Sequence, residues 1–144
     1  PNIPKVMDRK KEADNGSMLN TPSTYPIYMA KLCMEWLKKQ GGVEGIEKVN
    51  IGKANMLYDL LDNSSFYRAF ADKNSRSRMN VTFTTPDKDM DALFVKEAAS
   101  KGLLNLKGHK IAGGMRASMY NAMPIEGAQA LLEYMKEFES KHHV

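Results

Sequence analysis

The sequence predicts an α+β fold, with a small antiparallel or mixed sheet and helices packed on one face. Three observations carry that expectation. Met79-Asn80-Val81-Thr82-Phe83-Thr84 alternates with period two and is rich in β-formers. Apolar residues recur at helical spacing over 88–100 and 124–142. The segments run helix, helix, strand, strand, helix, short strand, strand, helix, without the regular repeat of βαβ units.

The chain has 144 residues, enough for one domain or a small domain with an extension. Hydrophobic residues make up 42% and charged residues 26%, so a real core is within reach. The net charge of +4 comes from 21 basic and 17 acidic residues and is scattered. With no regular basic–aromatic pattern, this argues against a nucleic-acid partner. No apolar run approaches membrane-spanning length and no signal peptide is visible. The single cysteine, Cys33, excludes a disulfide within the chain, agrees with a cytoplasmic setting, and reads as a buried, inert thiol. The 11 methionines read as core filler.

Taken in order, Pro1-Asn2-Ile3-Pro4 favours extended backbone and is followed by a charged run. It reads as a strand end or loop cut from something larger, without an initiator methionine. Asn15-Gly16-Ser17 marks a turn. A helix is expected over about 25–40, its N-cap falling at Thr21 or Thr24. Its apolar residues Ile27, Met29, Ala30, Leu32, Cys33, Trp36 and Leu37 cover most of its circumference, so it should be buried, by this chain or by a partner. Gly41-Gly42 ends it.

A second helix over about 43–61 places Val43, Ile46, Val49, Ala54, Leu57, Tyr58 and Leu61 inward. Residues 66–70 read as a strand and 72–76 as a loop or hairpin tip. The strand at 79–84 precedes a helix over 88–100, with Met90, Leu93, Phe94 and Ala98 inward and Gly102 closing it. Residues 103–106 read as a short extended piece and 116–120 as a further strand. A last helix starts at Pro124, with Ala128, Leu131, Leu132, Met135 and Phe138 as its stripe.

Candidate chemistry gathers in two places. Asn20-Thr21, at a helix start, suits a phosphate through free N–H groups and the helix dipole; plain capping is the alternative. Lys107-Gly108-His109-Lys110-Ile111-Ala112-Gly113-Gly114-Met115-Arg116 sets cations among three glycines. This suits a carboxylate or phosphate, with arginine as the fork; a hairpin with solvated charges is the alternative. His109 and Arg116 can converge if the chain folds back at Gly113-Gly114. His142 and His143 sit at a solvated tail. No metal-ligand spacing, phosphate loop of the Walker type or nucleophile elbow is present.

The run Gly108-His109-Lys110-Ile111-Ala112-Gly113-Gly114-Met115-Arg116-Ala117-Ser118-Met119-Tyr120-Asn121-Ala122 closely resembles the G-H-R-x-x-G-G-x-R-A-S-x-Y-N-A segment of the phosphoserine aminotransferase family. Asn15-Gly16-Ser17-Met18-Leu19-Asn20-Thr21-Pro22 resembles its N-G-S-M-x-N-T-P segment. Asp62-Asn63-Ser64-Ser65-Phe66-Tyr67 and Arg76-Ser77-Arg78-Met79-Asn80-Val81 follow family sequence in the same order.

The resemblance implies the carboxy-terminal part of a class-V, fold-type-I homodimeric enzyme that uses pyridoxal 5'-phosphate. Residues 1–63 would be the tail of the large domain with its long helices, and 64–144 the small domain. The implied reaction moves an amino group between glutamate and 3-phosphohydroxypyruvate, giving O-phosphoserine and 2-oxoglutarate, in serine and in many cases vitamin B6 synthesis. By the match, Asn20 and Thr21 would contact the cofactor phosphate across the dimer. His109 and Lys110 would hold the substrate phosphate, and Arg116 the α-carboxylate.

Two departures stand out. Lys110 replaces the family's usual arginine, keeping the charge without the fork. The A-x-x-Q-K-N-like segment with the Schiff-base lysine has no counterpart here, nor do the aspartate for the pyridinium nitrogen and the stacking aromatic residue. The chain alone is therefore expected not to transaminate; a non-catalytic module binding phosphoserine or a similar anion is the alternative function. The apolar first helix also predicts self-association of the isolated chain, which light scattering reads directly. A strict monomer would contradict it.

Overall fold

The computed structural model describes residues 3–143. The extended start expected at 1–4 lies outside the described residues at Pro1 and Asn2. The chain divides into two compact units, Pro1–Gly42 and Val43–Val144.

In the first unit, a 3₁₀ turn at Lys5–Met7 precedes a short helix, α1 (Arg9–Asp14), which the sequence reading treated as a charged run. The Asp8 carboxylate starts it, accepting from the Lys10 and Lys11 amides at 3.1 and 3.3 Å. The expected turn at 15–17 is present, with Gly16 and Ser17 both at φ of 60°. Helix α2 (Thr24–Lys39) follows. Its N-cap is neither Thr21 nor Thr24 but Ser23, which makes no side-chain cap bond.

The burial expected of α2 is not observed. Tyr25, Ile27, Tyr28, Met29, Leu32, Met34 and Trp36 are all exposed, and so is Cys33. A helix apolar on several sides needs cover on several sides, and no described residue of the first unit is buried. The methionines accordingly divide. Met115, Met119 and Met135 are core residues, whereas Met7, Met18, Met29, Met34 and Met123 face solvent.

The second unit opens with α3 (Gly42–Asn63). Its buried stripe is Ile46, Asn50, Lys53, Ala54, Leu57, Tyr58 and Leu61. Val43 and Val49, expected inward, are exposed at 72% and 44%, and two polar residues hold stripe positions instead. Ala54, Leu57, Tyr58 and Leu61 share one core with the sheet, and α3 from Val43 onward belongs to the same compact unit as the strands.

Strands β1 (Arg68–Ala69), β2 (Asn80–Thr84) and β3 (Met115–Ser118) form an antiparallel sheet in the order β1-β2-β3. Phe83 opposes Ala69 on one side and Met115 on the other, and Thr82 opposes Arg116. One face buries Val81, Phe83, Met115 and Ala117. The other leaves Asn80, Thr82, Thr84, Arg116 and Ser118 half-buried. Helices α4 (Lys88–Ser100) and α5 (Ile125–His142) complete the α+β unit. Phe94 of α4 centres the aromatic core, edge-on to Phe83 at 5.7 Å and to Phe138 at 5.0 Å between ring centres. The Tyr67 and Tyr134 hydroxyls donate to the carbonyls of Met135 and Phe94, and burial pushes both phenols upward.

Two extended segments are shorter than expected. The Ser64 hydroxyl accepts from the amides of Phe66 and Tyr67 at 3.0 and 2.9 Å. This takes both amides out of any ladder and leaves β1 only two residues long. Residues 103–106 form no strand, since Asn105 stands at φ of 61°; only Lys107 bridges to Met115.

The charged 72–76 segment is a 3₁₀ turn fastened to the end of α3. The Arg76 guanidinium forks onto Asp62, with Nη1 to Oδ2 at 2.9 Å, and lies 4.5 Å above the Tyr58 ring. Lys73 adds a second cation. The hydrogen bonds from Arg76 hold the Asp62 carboxyl down to about 2, from an ordinary value of 3.8. Asp62 therefore contributes stability above its ordinary pKa, and that contribution fades as pH falls through about 2. Urea midpoints measured from about pH 5 to about pH 2 should fall less steeply in Asp62→Asn than in the parent.

Candidate functional site

The site is built on the loop between residues 107 and 114. Lys107 pairs with Met115, and the Arg116 amide donates to the Leu106 carbonyl at 2.7 Å, so residues 106–107 lie alongside β3. The chain folds back at Gly113 and Gly114, at φ of 72° and 61°, a region that favours glycine. The Gly108 amide donates to Gly114 O at 2.8 Å, and the Gly113 amide to His109 O at 2.8 Å. A Cβ on Gly108 would strike the Gly113 carbonyl; one on Gly114 would lie 2.6 Å from the Phe83 carbonyl. Gly108 and Gly114 leave no room for a side chain, and at Gly113 the positive φ is what favours glycine.

That loop walls a pocket of about 550 Å³ together with the β2–α4 turn. Its lining includes Lys88, Lys107, His109 and Lys110 on the basic side, and Asp87 and Asp91 on the acidic side. Both carboxylates already hold the start of α4. Asp87 accepts from the Met90 amide at 2.8 Å, and Asp91 from the Thr85 amide and hydroxyl at 2.8 and 2.7 Å. Among the described residues, no hydrogen bond or ion pair engages the Lys88, Lys107 or Lys110 ammonium, so these cations have the chemistry to meet an anion. The Ile111 amide donates to His109 Nδ1 at 3.3 Å. With Nδ1 accepting, a neutral ring carries its proton on Nε2, the nitrogen free to donate to a ligand.

Arg116 does not line this pocket. It stands on the half-buried face of the sheet, opposite Thr82. Its Nε is buried and has no hydrogen-bond partner. An unanswered buried donor on a charged fork has the chemistry that suits a carboxylate. His109 and Lys110 thus share one pocket, with Arg116 on the adjoining strand. Asn20 and Thr21 are exposed and lie in the irregular segment before the Ser23 cap, in the first unit. They do not occupy the first turn of α2.

The sequence reading missed Lys53 and Asn50. Lys53 is completely buried, and its Nζ donates to the carbonyls of Tyr120 and Met123 at 3.0 and 2.9 Å. Burial pushes its ammonium below the ordinary value of 10.5. Asn50 Nδ2 donates to Asn121 Oδ1 at 2.8 Å. The available signal was positional: Ile46, Asn50, Lys53 and Leu57 fall at i, i+4, i+7 and i+11 on the stripe facing the core. No described helix is long and apolar enough to cross a membrane.

The aminotransferase class-V family model matches residues 3–131, and the chain belongs to that family. Named relatives point to one member of it. The phosphoserine aminotransferase of Nitrosomonas europaea is 55% identical, over 96% of this chain and 38% of its own length. That of Herminiimonas arsenicoxydans is 53% identical, over 99% of this chain and 39% of its own. Among solved structures, phosphoserine aminotransferase from Bacillus circulans subsp. alkalophilus superposes with a TM-score of 0.90 at 38% identity, covering 96% of this chain and 39% of that one. The pyridoxal-phosphate-bound phosphoserine aminotransferase of Trichomonas vaginalis superposes at 0.84 with 38% identity, covering 94% and 39%. The chain spans about two fifths of the length of these relatives.

Gly114→Ala should lower stability by more than about 1 kcal/mol in urea unfolding, because alanine meets both a left-handed φ and the Phe83 carbonyl. An unchanged midpoint would mean that the fold-back leaves room for a side chain at residue 114.

Proposed function

We propose that this chain is the carboxy-terminal part of a phosphoserine aminotransferase. It would act with glutamate and 3-phosphohydroxypyruvate to form O-phosphoserine and 2-oxoglutarate, in the cytoplasm and as a homodimer. The observation that carries the reading is a basic pocket and an unpartnered buried arginine donor on one hairpin. His109 and Lys110 face a basic pocket, and Arg116 holds an unpartnered buried donor on the adjoining strand. A substrate with a phosphate at one end and a carboxylate at the other needs two such sites. Vitamin B6 synthesis would use the same pair on a related phosphorylated substrate.

The residues of the first unit fit a cofactor phosphate by their chemistry. Asn20 and Thr21 offer an amide and a hydroxyl, and the Ser23 side chain leaves the first-turn N–H groups of α2 uncapped. The electron sink for amino-group exchange is supplied by pyridoxal 5'-phosphate when bound. The lysine that carries it would lie in the part of the relatives that this chain does not span. The exposed apolar side chains of α2 are consistent with a cover in the longer protein.

Within the site, Arg116 would take the carboxylate in a two-point fork, which fixes the substrate's orientation as well as its affinity. His109 Nε2–H would donate to a phosphate oxygen while Lys110 supplies charge.

The test is steady-state kinetics of the full-length enzyme. Arg116→Lys should raise KM for both the keto acid and glutamate by about tenfold or more, since both carry an α-carboxylate. Lys110→Arg should lower KM for the phosphorylated substrate by restoring the fork. If neither substitution moves a KM, the hairpin is not the substrate site. Tight phosphoserine binding without turnover by the full-length protein would favour the binding-module reading.

A further inference from the structure

Among the described residues, Lys53 is the only charged side chain that is buried, and its burial is complete. No carboxylate pairs with it; its two hydrogen bonds go to the carbonyls of Tyr120 and Met123. A charge placed in a core without a counter-charge stabilises less than an apolar residue of the same volume would. Its partners therefore matter more than its contribution to packing. Both belong to the turn that leaves β3, closed by the Met123 amide on the Tyr120 carbonyl at 2.9 Å. Asn50, one turn earlier on α3, holds Asn121 of the same turn.

This turn is the far anchor of the strand that carries Arg116. The near anchor is the glycine fold-back, with Gly114 against the Phe83 carbonyl. The ladder runs out at the Met119 amide on the Met79 carbonyl, at 2.7 Å. Beyond that bond, the described hydrogen bonds from α3 to the turn are those of Lys53 and Asn50. The Arg116 Nε has no partner of its own, so no internal acceptor fixes that nitrogen and its placement follows the strand.

We propose that Lys53 and Asn50 are positioning residues for substrate carboxylate binding, acting through the 120–123 turn to hold the Arg116 strand in register. The proposal rests on the reading of Arg116 given above.

The experiment uses the full-length enzyme with four variants: Lys53→Met, Asn50→Ala, Arg116→Lys and, as a stability control, Phe138→Leu. Phe138 is a core residue of α5 and bonds to none of these groups. Melting temperature, kcat and KM are measured for each. The expected result is a KM about fivefold to tenfold higher in Lys53→Met and about threefold higher in Asn50→Ala, with kcat within about twofold. Phe138→Leu should lose melting temperature while keeping KM. Combining Lys53→Met with Arg116→Lys should cost less than the sum of the two, because one interaction is being removed twice.

A KM that rises in Phe138→Leu in step with lost stability would overturn the proposal, since the effect would then be structural. So would an unchanged KM in both α3 variants beside a raised KM in Arg116→Lys, which would leave the functional reading intact. An unchanged KM in Arg116→Lys would remove that reading and the proposal together. If Lys53→Met does not fold, Asn50→Ala decides the question alone.

Discussion

The antiparallel pairing of β2 with β3 is the constraint on which the second unit depends. Its register sets Phe83 opposite Met115 and Thr82 opposite Arg116. Because side chains alternate across a strand, that one choice sends Val81, Phe83, Met115 and Ala117 into the core and turns Arg116 to the other face. A slip of β3 by one residue would turn the guanidinium toward the core and expose Met115 and Ala117. The alignment is enforced from both ends: Gly114 admits no side chain against Phe83, and the chain beyond Ser118 is tied to α3.

The parts of the fold legible in the sequence were those where a single period governs. Helix α4 runs over the residues that its apolar spacing predicts, since Asp87 at its start and Gly102 at its end agree with the stripe between them. The strand at 79–84 and the helix from Pro124 were legible for the same reason. What stayed hidden was set by contacts across the chain or by single side-chain bonds. The shortness of β1 follows from one serine hydroxyl that outcompetes the ladder for two amides. The exposure of α2 could not be read from periodicity, which reports how apolar a helix is and says nothing of what covers it.

The candidate site divides along the same line. Glycines and cations within one short run mark the candidate loop from sequence, and the structure supplies the reason for two of the glycines: carbonyls stand where the Cβ atoms of Gly108 and Gly114 would be. Lys53 and Asn50 escaped because stripe positions on a helix are read as apolar by default. Burying an ammonium costs on the order of several kcal/mol, which makes a lysine there an exception worth seeking. The aromatic core around Phe94 packs α4, α5 and the sheet together apart from those polar ties.

The distribution of chromophores has a practical side. The chain has one tryptophan, Trp36, and it stands on α2 in the first unit. The second unit carries Tyr58, Tyr67, Tyr120 and Tyr134, with the first two and Tyr134 inside the core. Indole emission is therefore an optical reporter of the unit that lacks the 107–114 loop. A denaturation curve followed by that signal alone would describe the loss of one unit and be silent on the other. Near-ultraviolet dichroism of the packed tyrosines, recorded beside the indole signal, separates the two transitions and shows whether they coincide.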